Sequence, residues 1–170
     1  MGVLLFRTIM PTVSLEDATY ADAVFIARRM REWDAKEILP VMLGSSHLEN
    51  LALGVSIAEY SKCAFWNGKP VSVFGASPLA PLSYSVFMYA TDDWPHVALS
   101  VTRHIKKVML PYYAARGANR AECRTHGEYL WAHRWLEFMG AHKESEIKDY
   151  GAQRKTYFMY VWCRSLYEGN

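Results

Sequence analysis

The sequence predicts one α/β (α+β) domain in which helices cover both faces of a mixed sheet, and three observations support this prediction. Residues 84–90 are almost all apolar or aromatic, as expected of a central strand covered on both faces. Asn67-Gly68 separates two strand-like segments, and a type I′ hairpin turn needs positive φ at both of its central positions. A helical segment then lies between residues 84–90 and the next strand at 120–124, which requires a mixed sheet.

Composition limits the class of protein. The chain has 170 residues, and its hydrophobic content of 51% suits a single globular domain with a sizeable core. The formal charge of +2 is too small to indicate nucleic-acid binding. Three cysteines without a CxxC pair are typical of reduced thiols in a cytosolic setting. We expect neither secretion nor a transmembrane segment, because no apolar run approaches the roughly 18 residues that span a bilayer and residues 3–6 lack a basic flank.

The first third of the chain predicts an arm, a strand and three helices. Residues 1–12 form an apolar N-terminal arm or extra strand, and residues 13–170 form the single domain. Two capping boxes, beginning at Thr19 and at Ser46, predict the starts of the first and third helices. A second short helix around Ile38 lies between them.

The later elements are predicted from hydrophobic period and turn residues. The helix after residue 94 has a single apolar stripe composed of Val97, Val101, Ile105, Val108 and Tyr112, and Pro111 should kink or end it. The other segments are predicted, in order, as strands at 62–66 and 69–75, a turn at 77–81, a helix at 128–139 that stops at Gly140, and strands at 144–147 and 155–163.

This order of elements resembles the GNAT (Gcn5-related N-acetyltransferase) fold, and so do two stretches of sequence, VSLEDATYADA at 13–23 and AHRWLEFMGA at 132–141. Residues 29–38 (RMREWDAKEI) and 134–141 are similar to GNAT-like proteins of tailed bacteriophages, a group that includes internal virion proteins of short-tailed phages. The resemblance covers residues 13–163. It implies a GNAT-like mixed central sheet with the order β-α-α-α-β-β-β-α-β-α-β-β and helices on both faces.

The resemblance implies where a cofactor would bind. GNAT enzymes hold acetyl-CoA between two diverging parallel strands, here 84–90 and 121–124, and their first strand pairs with the pantetheine arm through its backbone. The residues implied for this contact are Met88, Tyr89 and Ala90. The pyrophosphate would lie at the start of the next helix, near His96 and Val97, where unpaired N–H groups favour an anion.

Two features depart from the family pattern. The phosphate loop of the family contains small residues, whereas residues 90–97 of this chain read ATDDWPHV and contain Asp92 and Asp93. Two carboxylates near a pyrophosphate would cost on the order of a kcal/mol or more each. The alternative is that one of them caps the helix and Pro95 lies in its first turn. The second departure is Leu136, which stands where many GNAT enzymes have a tyrosine that protonates the leaving thiolate.

Candidate catalytic residues are therefore substitutes. Tyr129 could act as the acid, and Glu49, Glu59 or His126 as the base, although each is also explained as a core, capping or solvated residue. The six histidines form no HxxxH or HxH pair, so we predict no metal site.

Three hypotheses about function remain open. The first is a phage-encoded GNAT-fold protein with a degenerate acyl-CoA site and a role in the virion or its assembly. The second is an acetyl-CoA-dependent N-acetyltransferase with an atypical pyrophosphate loop, and the third is a host-directed protein-binding module. The cofactor is accordingly none, or acetyl-CoA if the protein is a transferase. We expect protein partners or self-association, including other virion proteins, without nucleic acid or membrane, in the host cytoplasm or the virion.

Overall fold

The computed structural model describes residues 11–164, which form a seven-stranded mixed sheet. The strands are β1 (Val13–Asp17), β2 (Tyr60–Trp66), β3 (Lys69–Ala80), β4 (Ser83–Ala90), β5 (Arg120–His126), β6 (His142–Tyr150) and β7 (Lys155–Cys163). Their order across the sheet is β1-β2-β3-β4-β5-β7-β6, with β4 central as predicted. The pairing of β4 with β5 is parallel and the other pairings are antiparallel. The predicted arm at residues 1–12 lies almost entirely outside the described residues.

Helices cover both faces of the sheet, as predicted. They are α1 (Tyr20–Ala27), α2 (Glu32–Ile38), α3 (His47–Ile57), α4 (Ala98–His104), α5 (Leu110–Ala115) and α6 (Leu130–Phe138). One core cluster contains buried residues of α1 and α3 against β2, β3 and β4, among them Ile26 and Tyr89. The other contains buried residues of α4, α5 and α6, among them Val101 and Leu136. The helices of these two clusters therefore each bury an apolar face that could not remain in water, whereas the buried residue of α2 is Asp34.

One of the two predicted capping boxes is present. The backbone N–H of Asp22 donates to Thr19 Oγ1 at 3.2 Å, and the Thr19 N–H donates to Asp22 Oδ2 at 3.1 Å. The box predicted at Ser46 is wrong, because Ser46 has ψ of 54° and its side chain makes no capping hydrogen bond although α3 begins where expected. The extended backbone that aims an N-cap hydroxyl at the helix is absent at Ser46.

The hairpin at Asn67-Gly68 is confirmed, with φ of 50° and 76° at its two turn residues. The turn predicted at 77–81 is wrong. Residues 77 and 78 instead extend β3 by pairing with Ser85 and Tyr84, so the strand continues to Ala80 and the chain reverses at Leu82, which has φ of 57°. Pairing along the whole of β4 prevails over the local turn preference of Pro78.

The helix stripe predicted after residue 94 shifts by one position. Val108 is 46% exposed, and Met109 and Tyr113 are buried in its place. The cause is a π-helical turn at Ile105–Met109, which joins α4 to α5 and adds a residue to the turn. Pro111 lies in the first turn of α5 and does not end the helix. The wider turn supplies a place where the missing N–H of a proline is tolerated.

The parallel strands β4 and β5 are paired at one end and separate along the rest of their length. They pair only where Ser83, Tyr84 and Ser85 face residues 120–122. From Val86 onward β4 continues to pair with β3 on its other side, and β5 continues to pair with β7. The result is a wedge in the middle of the sheet. Among the described helices none is long and apolar enough to cross a membrane.

Candidate ligand-binding cleft

The wedge opens into a cavity of about 680 Å³. Residues of β4, β5, α2 and α6 line it, and most of the lining side chains are apolar or aromatic. Five of the six tryptophans contribute, namely Trp33, Trp94, Trp131, Trp135 and Trp162. A concave, aromatic space with a few polar groups is the usual form of a small-molecule site.

Glu37 is the polar group at one end of this cavity. Its Oε2 accepts hydrogen bonds from Thr125 Oγ1 at 2.5 Å and from the backbone N–H of His126 at 2.7 Å. Tyr157 Oη donates to the Glu37 carbonyl at 2.7 Å and fixes the helix end against β7. Burial raises the pKa of the Glu37 carboxyl to about 7, because the two hydrogen bonds to the ionised form only partly offset the loss of water.

Tyr129 lies beside this group in the cavity wall. Its ring stacks on Trp33 with centroids 5.1 Å apart and planes 10° apart. Burial raises the pKa of Tyr129 to about 12, so its hydroxyl keeps its proton at neutral pH. Glu37 is therefore a carboxyl in the cavity that can exchange a proton near pH 7, and Tyr129 is a phenol that can donate a hydrogen bond.

Residues Arg31 and Asp34 bind the backbone at the C-terminal end of β4. The Ala90 N–H donates to Asp34 Oδ2 at 2.7 Å, and the Ala90 carbonyl accepts from the Arg31 N–H at 2.8 Å. Met30 and Thr91 form an isolated antiparallel bridge at the same place. We call this set of contacts the Ala90 latch. Because the Thr91 N–H bonds to Val71 on β3, alternation along the strand directs the backbone groups of Ala90 away from β3, toward the wedge.

Arg31 holds the Asp34 carboxylate in the latch. Arg31 Nε lies 3.0 Å from Oδ2 and its Nη2 lies 2.7 Å from Oδ1, a two-point contact on a carboxylate that is 4% exposed. Burial nevertheless raises the pKa of Asp34, since desolvation outweighs the opposing effects of Arg31 and the Ala90 N–H. Both carboxylate oxygens of Asp34 are thus already bonded, to Arg31 and to the Ala90 N–H.

The loop after β4 offers few free donors to an anion. Neither predicted cap is formed, since Asp93 precedes a single 3₁₀ turn (Trp94–His96) without a side-chain capping bond and α4 begins only at Ala98. Pro95, predicted in the first turn of the helix, instead lies in this 3₁₀ turn ahead of α4, and it carries no N–H. The N–H groups of His96 and Val97 are already bonded, to the carbonyls of Asp93 and Trp94, each at 3.0 Å. Lys69 Nζ lies 2.9 Å from Asp93 Oδ2.

The five residues predicted to contact a cofactor are not brought together. Met88 and Tyr89 line the cavity, whereas the backbone of Ala90 is held in the latch. His96 stacks on Trp66 at the surface, with ring centroids 3.6 Å apart, and Val97 is fully buried in the core. Two of the five therefore lie where a ligand in the wedge would touch them.

The predicted catalytic candidates separate in the same way. Tyr129 lines the cavity, but Glu49 and Glu59 are exposed at the two ends of α3 and do not line it. His126 is 4% exposed and lies behind the cavity wall, where its Nδ1 accepts from the Glu128 N–H at 3.2 Å. Leu136 lines the cavity and supplies only apolar surface.

Sequence reasoning missed the three charged residues that matter most here, Arg31, Asp34 and Glu37. A signal was present, because the carboxylates at positions 34 and 37 lie on one side of the predicted second helix together with the apolar Ile38. A carboxylate on an apolar face indicates burial and hence a perturbed pKa. Within residues 11–164, no group of three or more His, Cys, Asp or Glu is placed to hold a metal ion.

Comparison with known proteins identifies the fold. No protein-family model and no curated protein matches the sequence. Among solved structures, the ribosomal-protein-S18-alanine N-acetyltransferase of Escherichia coli is similar with a TM-score of 0.65 at 15% identity, over 91% of this chain and 94% of that one. A GNAT-family acetyltransferase of Bacillus anthracis gives 0.67 at 11% identity, over 90% and 95%. The yncA protein of Salmonella typhimurium, solved with its cofactor acetyl-CoA, gives 0.66 at 11% identity, over 89% and 93%. The chain therefore has the GNAT fold predicted from its sequence.

Proposed function

We propose that this protein is a GNAT-fold binding protein whose acyl-CoA site is degenerate. The observation that carries the proposal is the Ala90 latch, in which Asp34 and Arg31 use the backbone groups that a pantetheine arm would need. The Ala90 latch and a pantetheine arm would use the same backbone groups, so one excludes the other at Ala90. The residues present do not fit acetyl-CoA in the family's manner.

The loop after β4 supports the same proposal. Asp92 is exposed there, and Asp93 stands one residue further along. Two carboxylates close to a diphosphate would each cost on the order of 1 kcal/mol in water and more where they are buried. The bonded N–H groups of His96 and Val97 offer no compensation.

Calorimetric titration with acetyl-CoA and with CoA tests the proposal. We expect no binding tighter than the millimolar range to the wild type. An Asp92→Asn/Asp93→Asn variant removes the repulsion and leaves the latch intact, so it should also fail to bind. Micromolar binding of acetyl-CoA to the wild type would contradict the proposal.

The setting of this function rests on the resemblance to phage proteins. Residues 29–38, which supply the latch and Glu37, are the segment that resembles GNAT-like proteins of tailed bacteriophages. We propose on that basis a role in the virion or in its assembly. Mass spectrometry of purified particles of the encoding phage should detect the polypeptide, and its absence from the particles would remove the virion role.

Protein partners are proposed from the surface of α6. Leu130, Trp131 and Phe138 are each more than 60% exposed there, at 61%, 74% and 64%. Exposed aromatic side chains of this kind are enriched where proteins bind one another. Sedimentation of the wild type and of a Trp131→Ser/Phe138→Ser variant would show whether this face mediates self-association, and identical monomeric behaviour of both would exclude it.

Acetyl transfer is the second candidate function, favoured by one specific observation. Glu37, whose pKa is raised to about 7, stands in the cavity with Tyr129, which gives a base and an acid of suitable protonation at neutral pH. If the protein is a transferase, Glu37→Gln should lower turnover of primary amines at least a hundredfold. Glu49→Gln, which changes an exposed carboxylate outside the cavity, is the matched control. Equal activity of the two variants would exclude this role of Glu37.

A further inference from the structure

The exposed side of α6 carries three large apolar side chains at helical spacing. Leu130, Trp131 and Phe138 are 61%, 74% and 64% exposed, although the opposite side of the helix is buried in the core. Arg134 lies among them, because positions 130, 134 and 138 form one row along a helix. The packing of α6 onto the sheet therefore leaves an apolar stripe with an arginine at its centre.

The helix α4 and its π-helical continuation lie beside α6 and add a lysine to this surface. Trp135 Nε1 donates to Thr102 Oγ1 at 2.9 Å, which joins α6 to α4. One turn after Thr102, Lys106 Nζ donates to the Phe138 carbonyl at 3.3 Å. We call the surface formed by this lysine and the stripe the α6 face, and its residues are Lys106, Leu130, Trp131, Arg134 and Phe138.

The α6 face carries positive charge that is not neutralised within residues 11–164. Neither Lys106 nor Arg134 forms an ion pair in that range. Arg103 and Lys107, which are exposed on the turns beside Lys106, form none there either. The exposed Glu137 lies at the border of the face and accepts a hydrogen bond from β7. A surface with several cations and one acid attracts an anionic partner.

Aromatic rings hold two of these cations within the apolar surface. Lys106 Nζ lies 4.2 Å from the ring centroid of Phe138, and the guanidinium carbon of Arg134 lies 5.7 Å from a ring centroid of Trp131. Each cation is attracted to its ring and keeps its charge accessible to a partner. A partner on this face therefore meets a cation and an aromatic ring side by side.

Charge and apolar surface together identify the kind of partner. A second copy of the chain in a two-fold interface would place the same cations against one another. A nucleic acid would match the charge but would cover the apolar side chains with phosphates. An anionic membrane surface would meet the exposed carboxylates of Glu128 and Glu137, near the two ends of α6. A narrow acidic segment with apolar side chains can lie along the stripe between those carboxylates and match both properties.

We propose that the α6 face binds an acidic amphipathic segment of a partner protein. The apolar side chains of the segment cover Trp131 and Phe138, and its carboxylates lie at Lys106 and Arg134. Apolar anchors at helical spacing are the usual basis for the binding of an amphipathic helix, and Trp, Phe and Arg are enriched in interfaces. The proposal rests on the proposed function, because it names the class of partner for a protein-binding surface.

Three synthetic peptides separate charge from apolar contact. The first repeats the heptad Leu-Glu-Glu-Leu-Leu-Glu-Glu, the second replaces each glutamate by lysine, and the third replaces each leucine by serine. Each peptide is labelled with fluorescein and titrated with the full chain at pH 7, and binding is followed by fluorescence anisotropy. We expect the first peptide to bind at least about tenfold more tightly than either of the others, because it alone matches both charge and apolar surface. Its affinity should fall as the salt concentration rises from about 0.05 M to about 0.5 M.

Two charge-reversal variants locate the site. Lys106→Glu/Arg134→Glu reverses two cations of the α6 face, and Arg28→Glu/Arg29→Glu makes the same change of net charge on the exposed side of α1. The first variant should bind the glutamate peptide at least about tenfold more weakly than the wild type and the lysine peptide more tightly. The second variant should bind both peptides nearly as the wild type does. Equal effects of the two variants would reduce the interaction to net charge and overturn the proposal.

Two further variants separate loss of binding from loss of folding. Urea denaturation shows which variants fold, and Arg134→Gln, which removes one exposed charge, replaces the double reversal if that variant does not fold. It should bind the glutamate peptide about threefold more weakly and leave the serine peptide unchanged. Trp131→Ser/Phe138→Ser should weaken binding of the glutamate peptide as well, because the peptide loses its apolar contacts.

The outcomes distinguish this proposal from the proposed function. No binding of the glutamate peptide to the wild type, or binding that Trp131→Ser/Phe138→Ser leaves unchanged, would overturn the proposal. Tighter binding to vesicles of phosphatidylserine and phosphatidylcholine in equal parts than to the peptide would assign the face to a membrane surface and overturn it as well. The proposed function fails instead if acetyl-CoA binds in the micromolar range, whatever the peptides do.

Discussion

Asp34 and Glu37 lie one turn apart on α2, and both are carboxylates removed from bulk water, yet their surroundings differ. Asp34 receives a two-point contact from Arg31 and a hydrogen bond from the Ala90 N–H. Glu37 receives only a hydroxyl and one backbone N–H. One helix therefore closes one part of the wedge with a carboxylate that is paired with an arginine. The same helix places a carboxylate without an ion-pair partner among the described residues in another part of the wedge.

The two carboxylates also differ in what their burial costs. Desolvation raises the pKa of both, but at Asp34 the guanidinium of Arg31 opposes it directly. At Glu37 no cation is that close, and the pKa rises to about 7. Asp34 therefore belongs to the structure of the closed edge, and Glu37 is available to a ligand.

The largest expected effect comes from breaking the latch. Asp34→Ala leaves the Arg31 guanidinium and the Ala90 N–H without their partner, and removing one member of a buried pair typically costs about 3–5 kcal/mol. We expect a loss of that order in the free energy of unfolding, measured by urea denaturation at pH 7. Glu32→Ala, which removes an exposed carboxylate paired with Lys36 on the same helix, should leave the free energy of unfolding almost unchanged, because solvent screens such a pair. Equal effects of the two variants would show that the latch is not stabilising.

The next effect is a pH dependence at Glu37. The folded state binds a proton at Glu37 up to about pH 7, whereas the unfolded chain releases it near 4.5, so stability is highest below pH 4.5 for this group and falls as pH rises through 7. The loss by pH 8 is on the order of 3 kcal/mol. Glu37→Gln should remove this dependence and be more stable than the wild type at pH 8, as measured by urea denaturation at pH 5 and pH 8. If the free energies of unfolding of the wild type and the variant differ by the same amount at both pH values, the raised pKa of Glu37 is contradicted.

A smaller change is expected when Glu37 loses its hydroxyl partner. Thr125→Val keeps the shape of the side chain but removes the hydrogen bond to Oε2, which favours the ionised form. The pKa of Glu37 should rise above that of the wild type, and the variant should lose about 1 kcal/mol more at pH 8 than at pH 5. An NMR titration of the Glu37 carboxyl carbon gives the pKa directly. An unchanged midpoint would mean that Thr125 does not support the carboxylate.

The smallest effect belongs to the surface ion pair in the loop after β4. Lys69 and Asp93 form an ion pair in which the lysine is 52% exposed. Such pairs contribute between zero and about 1 kcal/mol, so Lys69→Ala should lower the free energy of unfolding by no more than about 0.5 kcal/mol. Thermal denaturation of the variant and the wild type at low and high salt measures this difference. A loss of several kcal/mol in the free energy of unfolding would contradict the prediction and show that the ion pair is important for stability.

Much of the fold was predictable because its signals are local. The Asn67-Gly68 hairpin and the capping box at Thr19 each depend on a few neighbouring residues. The apolar run of β4 predicted a strand with both faces covered, and β4 is indeed at the centre of the sheet. The apolar stripe predicted after residue 94 was wrong only where the π-helical turn changes the helical period, so that Met109 is buried and Val108 is exposed.

The site was not predictable in the same way, because its contacts are long-range. The hydrogen bond from Ala90 to Asp34 joins residues 56 positions apart, and the bond from His126 to Glu37 joins residues 89 apart. Local patterns do not specify which carboxylate meets which strand. The sequence indicated a departure at Asp92 and Asp93, but the contacts that close the edge come from residues 31–34, in a segment for which no site residue had been predicted.

Hydrogen exchange at two amides of β4 distinguishes a closed strand edge from an open one. The N–H groups of Met88 and Ala90 both point toward the wedge, but only that of Ala90 is bonded to Asp34. We predict slow exchange at Ala90 and fast exchange at Met88, with neither rate changed by millimolar acetyl-CoA. Fast exchange at Ala90, or new protection at both amides when acetyl-CoA is added, would contradict the closed edge.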